Sequence, residues 1–267
     1  MKAKVAGSHR FLNVEPSPAR ERDWPARKDG RLRDEPPPPV RDLRAGRPWF
    51  RVQDQEQTGS CVGFALADAV MRWQLVEQRR LPPTERLSAR FIWMASKEIR
   101  GQRLAPEEWR PSTFLEEAPT NAKDALDVVL RYGAVTRRML PWDGRLNRGP
   151  VERFFERARD FRIAAYHSLD DVNPVERERQ WRQWIAQHGP VLLTLEADRS
   201  FVAGDGPLRR FKPRQEPFLH ACALVGYNSD GFVIRNSWGS GWGDSGDIVA
   251  TSDWLDRGVR ETYGVVF

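Results

Sequence analysis

The pattern of apolar positions divides the chain into an N-terminal arm, a helical part and a later part rich in β-strands. Residues 1–48 hold eight of the twenty prolines and few apolar residues at any period. This predicts an extended or partly disordered arm. Over residues 61–78 apolar side chains occupy nearly all sides of a helix in its first turns, which indicates a helix buried in the middle of a domain.

Two further helices are predicted before residue 140. Residues 88–99 form one, with Ser88 placed as its N-cap. Residues 121–135 form the other, with Gly133 placed to end it. Residues 100–119 between them are polar and contain prolines, so we interpret them as an insertion.

After residue 150 the pattern changes from helices to strands. Charged helices are predicted around 151–161 and 174–188, followed by a strand over 189–197. Strands over 220–227 and 232–238 flank a turn at "NSDG". Because the helices come first and the strands later, the fold class is α+β. We expect an arm (1–38) and one domain (39–267), with a helical lobe over about 55–140 and a β-rich lobe over about 141–267.

The net charge of +6 lies almost entirely in the arm. Residues 1–48 contain nine Arg and three Lys against seven acidic residues. Elsewhere basic and acidic residues alternate, as on a solvated helix face. The balanced body argues against nucleic-acid binding, and oligonucleotide binding by the arm remains only an alternative.

Neither a signal peptide nor a membrane span is recognisable in the printed sequence. The first 18 residues contain no apolar h-region, and no apolar run reaches the length of a membrane span. The two cysteines stand in unlike settings, so no disulfide framework is expected and a reducing compartment fits. We therefore expect a cytoplasmic protein without membrane association.

Cys61 stands at the predicted start of the buried helix, in "QEQTGSCVGF". The unpaired N–H groups and positive dipole end of a helix lower the pKa of such a thiol, which favours a nucleophile. The alternative is a small buried apolar residue. Gly59 and Ser60 leave room for a substrate backbone, and Gln55 is an uncharged N–H donor suited to an oxyanion.

A thiolate nucleophile needs a base, and the chain has four histidines. His9 lies in the arm, and His167 and His188 lie in charged stretches that we expect to be exposed. His220 begins a strand, which would hold its imidazole on a rigid element, although a core histidine is the alternative. Asn236 ends the partner strand and could orient the ring by accepting its N–H. Simple hairpin register does not place the two residues opposite each other.

Together these blocks resemble a known family. "QEQTGSCVGF", "LHACALVGY" and "IRNSWGSGWGDSG" are similar to the papain-like cysteine peptidases, in a divergent bacterial-type form, and the resemblance covers residues 39–267 in patches. It implies a two-lobed fold, with a helical lobe packed against a β-barrel-like lobe and the active-site cleft between them. It also implies a peptide or protein substrate, and no cofactor or metal.

The resemblance carries the family's roles over by position. Cys61 becomes the nucleophile, His220 the general base and acid, and Asn236 the residue that orients the imidazole. Gln55, with the backbone N–H of Cys61, would form the oxyanion hole.

Three further residues are assigned to substrate binding. Gly59 and Ser60 line the approach to the nucleophile, and Trp238 shields the Asn–His bond from water. Cys222, two residues past His220, points to the same sheet face and is predicted to be a packed strand cysteine.

The chain also departs from the family's pattern. Thr58 stands at a usual disulfide position, Val62 replaces an aromatic residue, Leu219 precedes the histidine in place of Asp, and Asp247 replaces an aromatic residue. The family's Cys-Asn-Gly-Gly loop has no counterpart, because residues 100–121 fill that region. Substrate preference therefore does not transfer.

The leading hypothesis is a cysteine endopeptidase that forms a thioester acyl-enzyme. A transamidase or isopeptidase would use the same residues, and a non-catalytic peptide-binding module would be expected to lose Cys61, His220 or Gln55. The proline-rich arm is expected to lie along the cleft or to dock on a partner, with a disordered tail as the alternative.

Overall fold

The computed structural model describes residues 14–18, 25–104, 120–142, 151–171 and 173–267. The predicted insertion over 100–119 therefore lies mostly outside the described residues, as does much of the predicted arm. None of the helices in the described part combines the length and the apolar character that crossing a membrane requires.

The helices of the described residues include all those that the sequence predicts. Their bounds are α1 Cys61–Phe64, α2 Arg72–Glu77, α3 Ala89–Leu104, α4 Ala122–Arg131, α5 Val151–Ala158, α6 Pro174–Gln187, α7 Arg199–Ala203 and α8 Ser252–Gly258. A π-helical stretch, Ala65–Met71, joins α1 to α2, so the helix that starts at Cys61 runs without a break to Glu77. The short helices α7 and α8 were not predicted.

The predicted N-cap at Ser88 and the predicted helix end at Gly133 are confirmed, and the structure adds an N-cap at Asn121. The Phe91 backbone N–H donates to Ser88 Oγ over 3.2 Å at the start of α3. At the start of α4 the Asp124 backbone N–H donates to Asn121 Oδ1 over 2.9 Å. Gly133 follows the end of α4 at φ +89°, a left-handed conformation that glycine adopts without strain. Local side-chain chemistry therefore sets where these helices begin and end.

One glycine allows α1 and α3 to approach closely. A Cβ atom at Gly63 would collide with the backbone carbonyl of Ala89 and lie 3.0 Å from Trp93 Cβ. Because Gly63 has no side chain, α3 packs directly against the turn that begins with Cys61. The position of Cys61 is thus set by helix packing as well as by its own helix.

The strands form one antiparallel sheet. Their bounds are β1 Arg41–Asp42, β2 Ala165–Ser168, β3 Val191–Glu196, β4 Leu219–Tyr227, β5 Phe232–Arg235, β6 Asp247–Ala250 and β7 Val259–Val266. The order is β2-β7-β3-β4-β5-β6, with β1 added to β4. The α+β class is confirmed. The sheet is open rather than closed into a barrel, because β2 and β6 lie at its two edges and do not pair with each other.

The sequence did not predict β2, β6 or β7, and β5 ends three residues before the predicted strand does. Gly264 in β7 shows why tertiary packing decided that strand, because the ring of Trp184 from α6 occupies the space where a Cβ atom would lie. Trp184 is fully buried. Glycine weakens the strand signal in the sequence, but at position 264 it leaves the space in which the Trp184 indole packs against the sheet.

A β-bulge in β4 sets the register at the site. Leu224 pairs with Ile234 and Gly226 pairs with Val233, so Val225 is an extra residue on β4. The carbonyl of Val225 is not left unsatisfied, since it accepts the backbone N–H of Leu43 over 2.9 Å. The pairs on the far side of the bulge from the β4–β5 turn, beginning with Leu224 and Ile234, are therefore shifted by one residue relative to a regular hairpin.

Candidate active site

His220 and Asn236 are brought into contact. The ring Nε2–H of His220 donates to Asn236 Oδ1 over 2.7 Å, and the backbone N–H of Ser237 donates to the same oxygen over 2.7 Å. Both His220 and Asn236 are buried. Because Nε2 is engaged with Asn236, Nδ1 is the ring nitrogen suited to exchange a proton with a nucleophile.

Aromatic rings surround the imidazole. The Trp238 ring lies 4.7 Å from that of His220 between centroids, tilted by 41°, and the Phe201 ring lies 5.8 Å away. Phe201 also packs against Trp238. Trp238 is thus placed to keep water from the His220–Asn236 hydrogen bond, which strengthens as the local dielectric falls.

Cys61 is the first residue of α1 and is fully buried. Burial raises the pKa of the Cys61 thiol to about 11, while backbone hydrogen bonds from Ala221, Val62 and Cys61 itself lower it. The expectation of a lowered thiol pKa is therefore wrong for this structure. The helix N-terminus does act on the sulfur, but desolvation of the charged form outweighs it.

The contact with Ala221 also locates Cys61 relative to the base. Ala221 is the next residue after His220 in β4, so the nucleophile candidate and the base candidate meet where α1 faces β4. The two residues come from segments about 160 positions apart in the printed sequence.

Gln55 is fully buried and held at three points. Its backbone N–H donates to the carbonyl of Ser237 over 2.8 Å, and its side-chain Oε1 accepts the Ser237 hydroxyl over 2.6 Å. Its Nε2 donates to the Thr58 carbonyl over 2.6 Å. The amide is thus locked with its NH₂ group facing the loop that leads to Cys61, and that group has a second N–H to donate.

Sequence reasoning missed Ser237. Ser237 contacts both Asn236 and Gln55, so it joins the orienting residue to the oxyanion-hole candidate. Its place between Asn236 and Trp238 in the "NSW" block was the available signal.

Gly59 and Ser60 precede Cys61 and are both buried. The Ser60 hydroxyl lies 2.6 Å from the Thr58 hydroxyl, so it faces its own loop. The assignment of these two residues to substrate binding stays a prediction.

Asp247 forms an ion pair with Arg235, the residue before Asn236. Arg235 Nε lies 2.9 Å from Asp247 Oδ1, and both side chains are less than a tenth exposed. Arg235 also donates to the Phe50 carbonyl over 2.9 Å and covers the Phe50 ring at 3.9 Å. The departure from an aromatic residue at 247 is therefore explained by a buried ion pair that anchors the end of β5.

Part of the N-terminal arm lies beside the site. Val14 forms an antiparallel bridge with Leu219, the residue before His220, and a parallel bridge with Thr120. The backbone N–H of Glu15 donates to the Thr120 carbonyl over 2.9 Å. Val14 is 8% exposed.

The next arm residues are held by side chains of the domain. The Ser17 backbone N–H donates to Glu261 Oε1 over 2.7 Å, and Lys123 Nζ donates to the Pro18 carbonyl over 2.9 Å. Residues 14–18 therefore span from α4 to β4 next to the histidine.

A second arm segment, residues 25–35, packs against β2 and α6. Ala26 donates its backbone N–H to the Ser168 carbonyl over 3.1 Å, and the His188 ring bonds to the Arg31 carbonyl over 2.8 Å. His167 Nδ1 lies 3.0 Å from Asp29 Oδ2, and His167 is buried. The expectation that His167 is exposed is wrong, because the arm covers β2.

Comparisons with known proteins give the family and the fold of the chain. The model of the family "Papain family cysteine protease" matches residues 120–257, about half of the chain. Papain of Carica papaya is 31% identical over 143 residues, which cover 53% of this chain and 37% of papain. Cathepsin F of Mus musculus is 33% identical over 90 residues, 32% of this chain and 20% of that protein. The matched segments thus span well under half the length of either relative.

The whole fold also has a solved counterpart. Xylellain, a cysteine protease from Xylella fastidiosa, superposes with a TM-score of 0.73 at 20% identity, covering 96% of this chain and 95% of xylellain. At that identity the likeness shows the fold alone. The family is shown by the family model, which matches about half of the chain. The chain belongs to the papain family of cysteine proteases.

Proposed function

We propose that this protein is a cysteine endopeptidase that works through Cys61, His220 and Asn236. The observation that carries the proposal is the 2.7 Å hydrogen bond from His220 to Asn236, formed where Cys61 reaches the backbone of Ala221. A base held by an orienting amide, beside a thiol at a helix start, is the arrangement that nucleophilic catalysis by cysteine needs.

In the proposed reaction His220 Nδ1 accepts the thiol proton, and the Cys61 sulfur attacks the peptide carbonyl carbon. Collapse of the tetrahedral intermediate breaks the C–N bond, and the imidazolium returns its proton to the leaving amine. Water, deprotonated by the same imidazole, then hydrolyses the thioester and frees the thiol. Asn236 keeps the ring in place throughout, since its Oδ1 accepts the Nε2–H.

The oxyanion of the intermediate is assigned to Gln55 Nε2 and the backbone N–H of Cys61. Two contacts support Gln55 in this role, because Ser237 and Thr58 fix both ends of its amide group. A donor that is already oriented contributes more to the transition state than one that must reorganise.

The test is labelling with E-64, an epoxide that alkylates active-site thiols. We expect one label per chain on Cys61, found by peptide mass mapping, and loss of peptide hydrolysis in proportion to labelling. Labelling of Cys222 instead, or hydrolysis that survives full labelling of Cys61, would contradict the proposal. Adding amine acceptors to the same assay separates hydrolysis from amide transfer, because a transamidase would give the amine adduct as product.

We also propose that residues 14–18 restrain the site in the full chain. Val14 forms bridges with Leu219, the residue before His220, and with Thr120, and Cys61 is fully buried in the same structure. Displacing the segment would hydrate the thiol and lower its pKa, which burial raises to about 11. The thiolate fraction at neutral pH would then rise.

Val14→Asp is expected to open the site, because a carboxylate without a partner is costly to bury. E-64 labelling of Cys61 at pH 7 should speed up by a factor on the order of ten to one hundred, since each unit of lowered pKa raises the thiolate fraction tenfold. The matched control is Val40→Asp, which makes the same change at a residue that is 58% exposed. Equal labelling rates for the two variants would refute the restraint.

A further inference from the structure

Cys222 contacts Asn236 just beyond the last residue pair of β4 and β5. Ala223 pairs with Arg235, so the next position in the antiparallel register sets Cys222 opposite Asn236. His220, two residues further along β4, is the diagonal neighbour and reaches Asn236 with its ring. The residue that faces the orienting amide most directly is therefore a cysteine that the proposed mechanism leaves unused.

The contact between them is a hydrogen bond. Cys222 Sγ lies 3.8 Å from Asn236 Oδ1, and both side chains are buried. Oδ1 can only accept, so the thiol is the donor. Burial, together with the nearby Cys61, raises the pKa of Cys222 well above its usual range. The sulfur therefore keeps its proton even while Cys61 is a thiolate.

Three donors thus meet at Asn236 Oδ1. Ser237 approaches it from the backbone and His220 from the ring, each at 2.7 Å, and Cys222 approaches from the facing strand. Rotation of the amide by half a turn would set an NH₂ group against all three donors. Each donor therefore favours the orientation in which an oxygen faces His220.

We propose that Cys222 is a positioning residue, whose S–H donates to Asn236 Oδ1 and holds that amide in the orientation His220 requires. The expected effect of Cys222 on catalysis rests on the proposed peptidase function, but the hydrogen bond to Asn236 does not. A thiol is a weak donor, so the contribution is smaller than that of Asn236 itself. The step involves no covalent or redox chemistry.

The test compares substitutions that separate donor capacity from volume, all in the full chain. Cys222→Ser keeps a donor and Cys222→Ala, of similar size, removes it; Cys222→Val fills the space without a donor. We expect Cys222→Ala and Cys222→Val each to lower kcat about three- to tenfold with KM unchanged, and Cys222→Ser to recover most of the loss. If Cys222 acts only by packing, the order of kcat is reversed, with Cys222→Val near wild type and Cys222→Ser close to Cys222→Ala. That result would overturn the proposal.

A second measurement keeps the inference separate from the peptidase proposal. The proton on His220 Nε2 can be followed by NMR, and its exchange with water should be faster in Cys222→Ala and Cys222→Val than in the wild type. This readout needs no turnover, and it covers the case in which Cys222→Ser fails to fold. If no variant cleaves peptides but exchange follows the donor order, the peptidase function fails and the role of Cys222 stands. Unchanged exchange in both Ala and Val variants would refute that role.

Discussion

Cys61→Ala and His220→Ala are each expected to lower kcat for peptide hydrolysis by about four to six orders of magnitude, as loss of a nucleophile or its base does in hydrolases of this type. The two residues act in one proton transfer, so the double variant should be no slower than the slower single variant. A fluorogenic peptide assay would measure this, in the full chain and in the Val14→Asp background where the site is expected to be open.

Cys222→Ala is the matched control for Cys61→Ala, because it removes the other thiol from the same buried region. It should cost no more than about tenfold, the loss of one weak hydrogen bond. Additive losses in the Cys61/His220 double variant would show that the two residues do not act as a unit. Near wild-type activity of Cys61→Ala would show that Cys61 is not the nucleophile.

Asp247→Ala is expected to lower the free energy of unfolding by about 3–5 kcal/mol, the usual cost of breaking a buried ion pair from one side. Arg235 would keep its charge among buried neighbours after losing two contacts, at 2.9 and 3.1 Å, to the carboxylate. Urea denaturation followed by tryptophan fluorescence would give the change. Activity should fall as well, because Arg235 is joined to Asn236 in the chain.

Asp256→Ala provides the comparison for that experiment. Asp256 pairs with Arg177 over 2.8 Å, but its side chain is 44% exposed against 7% for Asp247. Removing an exposed partner should change stability by about 1 kcal/mol or less, because water screens and replaces the contact. Losses of equal size at the two positions would mean that burial does not set the strength of the Arg235–Asp247 pair.

The sequence predicted the helices well because their signals are local. Ser88 and Asn121 cap α3 and α4 through bonds to residues three positions away, and Gly133 ends α4 through its own backbone conformation. Strands β2 and β7 were missed because their partners lie far away in sequence. Thus β7, near the C-terminal end, pairs with β3 and β2, and no short window of sequence contains that information.

The candidate site was predictable as a set of residues and not as an arrangement. Cys61, His220, Asn236 and Gln55 were singled out from residue type and motif. Ser237 was overlooked, although it holds both Gln55 and Asn236. The buried state of the Cys61 thiol also could not be read from the sequence, because it depends on which segments cover α1 in three dimensions.

The order of residue types along the chain supplies the reactive groups of the proposed site: a thiol at a helix start, an imidazole at the beginning of a strand and an amide at the end of the next strand. Tertiary structure alone decided that the imidazole and the amide meet. If β4 and β5 paired regularly, with Val225 opposite Ile234, Ala223 would face Asn236 and His220 would point to the other side of the sheet. The bulge puts Asn236 on the His220 face, and it is held by a hydrogen bond from Leu43, about 180 residues earlier in the chain. A one-residue change of register reverses which face a side chain occupies, and only long-range contacts can select it.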